Sequence, residues 1–276
     1  MTEKVRFLEE IGANGHVALN VLQYDGWLLR FSNGYTSRAN SVCVLYPSTR
    51  PVEEKIAYCE KCYAEQGLPT IFKVTDLDKE FSDLLVRRGY EIVTPTDVME
   101  VVAWDADAEN ENAENAYAEK ENAESENACN EHTGQVSDGL GETYCVFSSE
   151  PTEWLPHYFA FENVTDETKK KTFQKMLSRV MIDVSYGILY YEGEPVACAS
   201  IAVEHGYALL HNVIVTSSMR GKGLGEKLCR AMITKAKEMG ADHVFLQVVQ
   251  SNQVAMNLYK KLGFQKDYTY WYLKKG

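Results

Sequence analysis

Apolar positions along the chain change period several times, and the changes mark out its elements. Val5, Leu8 and Ile11 fall at helical spacing within residues 3–22, and Gly12 and Gly15 break the pattern. Residues 26–32 and 37–46 alternate as strands around Asn33-Gly34, a turn signal that predicts an antiparallel hairpin. Pro51 suits the first turn of a helix running to about Gln66, with Gly67 near its end. A strand over Leu68 to Val74 follows, then a helix over Asp78 to Arg88 closed by Gly89. Tyr90 to Ala103 reads as extended and interrupted at Pro95.

From Asp105 to about Asp138 the pattern vanishes. Glu-Asn-Ala recurs at 111, 114, 121 and 126 without an apolar face. Such a stretch buries too little surface to offset its ordering entropy, so it reads as an acidic linker or surface loop. The pattern returns with a strand at Thr143 to Ser148 and helices at Glu153 to Phe161 and Asp166 to Val180, the latter with Thr165 and Thr168 as capping groups. Strands follow at Ser185 to Tyr191, Val196 to Val203 and Tyr207 to Val215. Then come a helix from Gly223 to Met239, a strand from His243 to Val249, a helix from Val254 to Leu262 and a strand from Tyr268 to Leu273. The second part therefore runs β-α-α-β-β-β-α-β-α-β, with room for one more strand. This is a mixed α/β sheet protein.

Charge changes the picture in one place. Ten acids and one base, Lys120, between Asp105 and Glu131 carry −9 of the net −12 and leave −3 for the rest. The folded parts lack the basic surplus of a nucleic-acid binder. No run of about 18 apolar residues suggests a membrane span. Seven cysteines without regular spacing fit free thiols in a reducing cytoplasm. Cys59-x-x-Cys62 sits on a helix with no second pair or histidine, so no metal is expected there.

The chemistry concentrates after Val215. An apolar strand ends, a short polar turn follows, and Arg220-Gly-Lys-Gly-Leu-Gly225 opens a helix. Helix-start N–H groups lack intrahelical partners, and glycines let a phosphate approach them. The spacing is neither that of the P-loop nor that of the dinucleotide fingerprint. Downstream lies Asn252-Gln-Val-Ala-Met-Asn-Leu258-Tyr259-Lys-Lys-Leu-Gly263-Phe264. Together, in this order and on these elements, the two segments resemble the acetyl-CoA-binding motifs of the Gcn5-related N-acetyltransferases (GNAT). The resemblance covers residues 141–276.

The first half carries a fainter copy. Arg50-Pro-Val-Glu-Glu-Lys55 aligns with Arg220 to Lys227, and Leu84 to Tyr90 with Leu258 to Phe264. The copy has lost the loop glycines, Pro51 has no N–H to offer, and Leu85 stands where Tyr259 does. The chain thus looks like a tandem GNAT: residues 1–104 degenerate, 105–140 linker, 141–276 catalytic. Two unrelated α/β halves are the competing reading.

The resemblance implies an acetyl-CoA-dependent N-acetyltransferase acting on a primary amine of a small molecule or peptide, as monomer or homodimer. The alternative is an acetyl-CoA-binding module without turnover. By resemblance, Val213, Ile214 and Val215 offer backbone to the pantetheine, Arg220, Gly221, Lys222, Gly223, Leu224, Gly225 and Glu226 hold the pyrophosphate, and Asn252 contacts or positions the pantetheine. Tyr259 is the candidate acid for the departing thiolate. His211, on the strand before the loop, is the candidate base, and alternation puts it on the same face as Val213, with Asn212 facing away. Arg30, Arg38 and Asn40 either line an acceptor cleft between the halves or serve the folding of the hairpin.

Overall fold

The computed structural model describes residues 1–102, 133–136 and 142–275; the acidic run at 105–131 lies outside the described residues. The first half contains α1 (Glu3–Gly15), β1 (Asn20–Tyr24), β2 (Trp27–Phe31), β3 (Val42–Val44), α2 (Val52–Glu65), β4 (Thr70–Thr75), α3 (Lys79–Arg87) and β5 (Glu91–Val102). β6 (Thr133–Val136) comes next. The second half contains β7 (Thr143–Ser148), α4 (Trp154–Phe161), α5 (Glu167–Leu177), β8 (Asp183–Tyr191), β9 (Glu194–Glu204) and β10 (Tyr207–Val215). It ends with α6 (Leu224–Glu238), β11 (His243–Val249), α7 (Gln253–Lys261) and β12 (Gln265–Lys275). Among the described residues the strands form one sheet, ordered β1-β2-β3-β4-β12-β5-β11-β10-β9-β8-β7-β6.

That order contains an exchange. β5, the last strand of the first half, lies between β11 and β12 of the second, antiparallel to both. β12, the last strand of the second half, lies between β4 and β5 of the first. Each half therefore completes its sheet with the other's final strand, so the extra strand for which the second half has room comes from the first. Pro95 is tolerated because β5 is irregular there: Thr94 has φ +53° and the register with β12 slips opposite it.

Helices cover both faces. β4 turns Phe72 and Val74 toward α2 and α3, and Ile71 toward α1. β11 turns Val244, Leu246 and Val248 toward α6 and α7, and Phe245 toward α1. Since α1 spans the middle of one face, α2, α3, α6 and α7 share the opposite one. α4 and α5 pack beside α1, over Tyr186, Ile188, Cys198 and Ile214. α1 is fixed by more than apolar packing. Its Glu9 pairs with Lys73 of β4 at 2.6 Å and accepts from the Tyr268 hydroxyl at 2.7 Å, all within the core.

Three local expectations are corrected. The strands flanking Asn33-Gly34 pair antiparallel as expected, as β2 and β3, but the tight turn is Asp25-Gly26, between β1 and β2, and Asn33-Gly34 opens a longer connection through a 3-10 turn at Ser37–Ala39. β1 escapes a pattern reading because it is an edge strand with Val21 and Leu22 exposed. β6 forms within the stretch read as linker, as the outermost strand beside β7. The cap of α5 is Asp166, which accepts from the N–H groups of Thr168 and Lys169, rather than either threonine.

Candidate functional site

The site begins where two parallel strands part. β10 pairs with β11 only over Tyr207–Leu210, against His243–Leu246. Beyond that point residues 211–215 have no strand partner on the β11 side, while β9 still holds them on the other. A bulge produces the divergence: the register with β9 slips between His211 and Ile214, and Asn212 takes φ +55°. The result is a wedge whose wall carries backbone groups without a strand partner on the β11 side.

The bulge also corrects the expected facing. An extra residue breaks alternation, so His211 and Val213 lie on opposite faces. His211 stands beside His16 at the end of α1, with ring centroids 6.4 Å apart, while Val213 and Val215 pack toward α6. Asn212 does not face away; it lines a cavity on the α1 side and donates to Ser200 Oγ at 2.9 Å. Burial and the nearby Arg38 charge lower the pKa of His211 to about 3 and depress that of His16 strongly. Both imidazoles are therefore neutral near pH 7. His211 can accept a hydrogen bond but binds a proton weakly.

The mouth of the wedge is the glycine loop. Gly221 and Gly223 have φ +78° and +76°, and a Cβ on either would meet nothing within 4 Å. Their conformation and the open space beside them together explain the glycines. Gly223 caps α6 without any side-chain bond, leaving the first N–H groups of the helix without a side-chain acceptor. Gly225 sits at the wedge's inner edge, where a Cβ would lie 3.4 Å from Leu258 and 3.5 Å from Val215. Arg220 reaches back to the Val215 carbonyl at 3.1 Å, and Lys222 is exposed. Glu226 would repel an anion there, but Lys261 at 2.6 Å and Arg230 at 3.1 Å hold its carboxylate, and these cations lower its pKa. The loop, the helix start and the exposed cations have the chemistry of a pyrophosphate cradle.

The other wall is α7. Asn252 caps it, its side-chain oxygen accepting from Ala255 N–H at 3.2 Å, so this residue fixes the helix start. Tyr259 lies two turns on, 8% exposed, edge-on to Phe264 at 5.8 Å. Burial raises its pKa, so the phenol keeps its proton through the neutral range. The corresponding place in the first half is closed. The Asp25 carboxylate accepts from the N–H groups of Thr49 and Arg50 at 3.0 Å, where the second half leaves its loop open, and pairs with the fully buried Lys55 at 3.2 Å. Those bonds hold the Asp25 carboxyl well below the usual carboxylate range.

A cavity of about 290 Å³ lies on the α1 side of the bulge. The first half lines it with His16, Tyr35, Thr36 and Arg38, and the second with Tyr158, Glu162, Phe173, Asn212 and Tyr272. Of these the sequence singles out Arg38; the remainder converge through the sheet order, which periodicity does not reveal. Arg30 and Asn40 have folding roles instead. Arg30 donates to the carbonyls of Arg38, Ala13 and His16, and Asn40 accepts from the N–H groups of Ser32 and Gly34. Among the described residues no cluster of His, Cys, Asp and Glu could hold a metal ion, and no helix is long and apolar enough to cross a membrane.

Comparison with known proteins agrees with this geometry. Residues 150–264 match the family model "Acetyltransferase (GNAT) family", and residues 2–139 match "Probable histone acetyltransferase Rv0428c C-terminal". The uncharacterized N-acetyltransferase YobR of Bacillus subtilis is 26% identical over 264 residues, 95% of each chain. A GCN5-related N-acetyltransferase from Kribbella flavida superposes with TM-score 0.65 at 18% identity, over 98% of this chain and 95% of that one. A tandem GNAT protein from the clavulanic acid biosynthesis pathway superposes with TM-score 0.61 at 12% identity, over 85% and 74%.

Proposed function

The chain belongs to the Gcn5-related N-acetyltransferase family, as a tandem of two GNAT-like halves, and is an N-acetyltransferase; from that premise we propose that its second half transfers acetyl from acetyl-CoA directly to a primary amine. The observation that carries this reading is the continuity of the wedge. Backbone at 211–215 without a strand partner on the β11 side, the open glycine loop and α7 meet at one place, where Gly225 lies against both Leu258 and Val215, and Tyr259 follows Leu258 on α7.

In this reading the N–H groups at the start of α6, with Arg220 and Lys222, receive the pyrophosphate. Val213 to Val215 hold the pantetheine as an added strand would, through backbone hydrogen bonds. A backbone N–H at the bulge faces the acetyl oxygen as it gains charge. The amine enters from the opposite side of the sheet, where the cavity lies, and attacks the thioester carbonyl. Nucleophile and electrophile are thus brought together from two sides, which converts a bimolecular encounter into a positioned one. The amine's proton leaves through the cavity to solvent, and neutral His211, buried next to the cavity-lining Asn212, is too weak a base to keep it. Tyr259 protonates the departing thiolate.

The first half takes no coenzyme in this scheme, because its loop has no glycines, Pro51 offers no N–H, and Asp25 ties up the N–H groups of Thr49 and Arg50 just ahead of α2. The proposed domain limits follow: 1–104 completes the sheet and the acceptor side, 105–140 connects the halves and adds β6 at the sheet's edge, and 141–276 binds acetyl-CoA. Calorimetry with acetyl-CoA should give one site per chain, and thiol release should appear when amines are supplied. Absence of acetyl-CoA binding would reject the scheme, and two equivalent sites would reject the role given to Asp25.

A further inference from the structure

The cavity beside the bulge holds two opposite charges that do not pair with each other. Arg38 lines its inner side, half-buried, and among the described residues its guanidinium makes neither a hydrogen bond nor an ion pair. Only its backbone carbonyl is engaged, by Arg30. Its charge bears on the phenols of Tyr35, Tyr158, Tyr259, Tyr270 and Tyr272 and on the two neutral histidines. Glu162, exposed after the end of α4, stands at the rim, and its charge acts on the same Tyr35 and Tyr158 from the other side. The two phenols, the cation and the anion thus line one cavity.

We propose that this cavity selects an acceptor carrying both an amine and a carboxylate, an amino-acid-sized zwitterion, and that Arg38 from the first half receives the carboxylate. An arginine drawn into a partly desolvated pocket without a counter-ion is costly, and its planar fork matches a carboxylate in a bidentate pair. Glu162 favours the ammonium form on entry and disfavours acceptors with a second negative charge. Size acts in the same direction: about 290 Å³ is at the small end of ligand pockets and excludes a folded peptide or a large aminoglycoside. The stacked Tyr35–Phe173 pair, with ring centroids 5.3 Å apart, forms an aromatic wall for the rest of the molecule. Polyamines fit poorly, since they would set a second cation against Arg38.

The inference rests on acetyl transfer in the neighbouring groove and adds what is transferred to. It also gives the degenerate half a function, because Arg38 and Tyr35 come from that half. The test uses the full chain, acetyl-CoA and thiol release. Each α-amino acid in a panel is compared with its own carboxamide, which keeps the amine and loses the carboxylate, and with spermidine. The amino acids should exceed their carboxamides in kcat/KM by about 10- to 100-fold, the worth of one charged hydrogen-bonded pair. Arg38→Gln should remove that ratio mainly through KM, and Arg38→Lys should restore part of it. Thiol release with carboxamides or spermidine at rates equal to or above those with amino acids would overturn the proposal while leaving acetyl transfer intact. No release with any amine would overturn both. The wild-type ratio needs no variant, so a misfolded Arg38→Gln leaves the test decisive.

Discussion

Tyr259 and His211 illustrate what burial does to chemistry. Tyr259 keeps its proton because a phenolate would be desolvated, so it is an acid available at any working pH. Replacing it with Phe keeps the packing against Phe264 and removes only the proton. The expected result is a fall in kcat of about 10²- to 10⁴-fold with acetyl-CoA affinity nearly unchanged, read by steady-state kinetics beside calorimetry. Equal losses in both would make Tyr259 a structural aromatic. His211 matters for stability. In the native state it stays neutral down to about pH 3, whereas the unfolded chain protonates it below its ordinary 6.5. The unfolded state therefore binds more protons in that window, and stability falls as pH drops through it, by up to about 1.4 kcal/mol per pH unit. His16, also depressed, adds in the same direction. His211→Asn should flatten the decline of Tm between pH 6 and pH 4. An unchanged slope would mean that the native histidine is already charged.

The same loop position serves opposite ends in the two halves. In the second half a glycine opens a helix start to an anion from outside; in the first, Asp25 supplies an anion from within to the two N–H groups that precede α2. Gly223→Ala places a Cβ in the space left for the ligand and forces a residue into φ +76° at a cost of about 1 kcal/mol. Acetyl-CoA affinity should drop at least tenfold by calorimetry, with Tm lowered by only a few degrees. Asp25→Ala should do the reverse, lowering Tm and leaving coenzyme affinity alone. Because its native carboxyl titrates below the unfolded one, the Asp25 contribution is present above about pH 4 and lost in stronger acid. At this scale the sequence was informative: the β-α-α-β-β-β-α-β-α-β order and both motif segments fall on the elements expected. Legibility failed where backbone geometry departs from its period. Asn212 gave no warning of a bulge, so His211 was set on the wrong face. β1 and β6 are the edge strands: the residues of β1 are mostly exposed, and the sequence Thr-Gly-Gln-Val of β6 is too short and polar to show a period. The cavity was out of reach for another reason: Arg38 and Glu162 are 124 positions apart in sequence, and only the fold joins them.

The exchange of β5 and β12 makes the two halves one folding unit, although the sequence reads as two. Removing the first half would leave β11 and β12 with no strand between them, and would strip the Val98–Met99–Val101 side chains from both sheet faces. Exposed central edges of that kind template aggregation. It would also remove α1, which covers the middle of the sheet, and with it the Glu9 partner of Tyr268. A chain cut between residues 103 and 132 keeps every described pairing available. Residues 1–103 and 132–276 expressed together should therefore co-purify as a one-to-one complex that binds acetyl-CoA, while each piece alone should be insoluble or unfolded by circular dichroism. Such pairing is non-local, so assembly of the two pieces should be slow and dependent on concentration. A second piece that folds alone and binds acetyl-CoA as tightly as the whole chain would show that the shared strands are not needed for the coenzyme site. The dependence expected here has a functional side: the strand that closes the sheet beside the coenzyme groove and the arginine facing the acceptor cavity come from the same half. Loss of that half should cost both stability and acceptor choice.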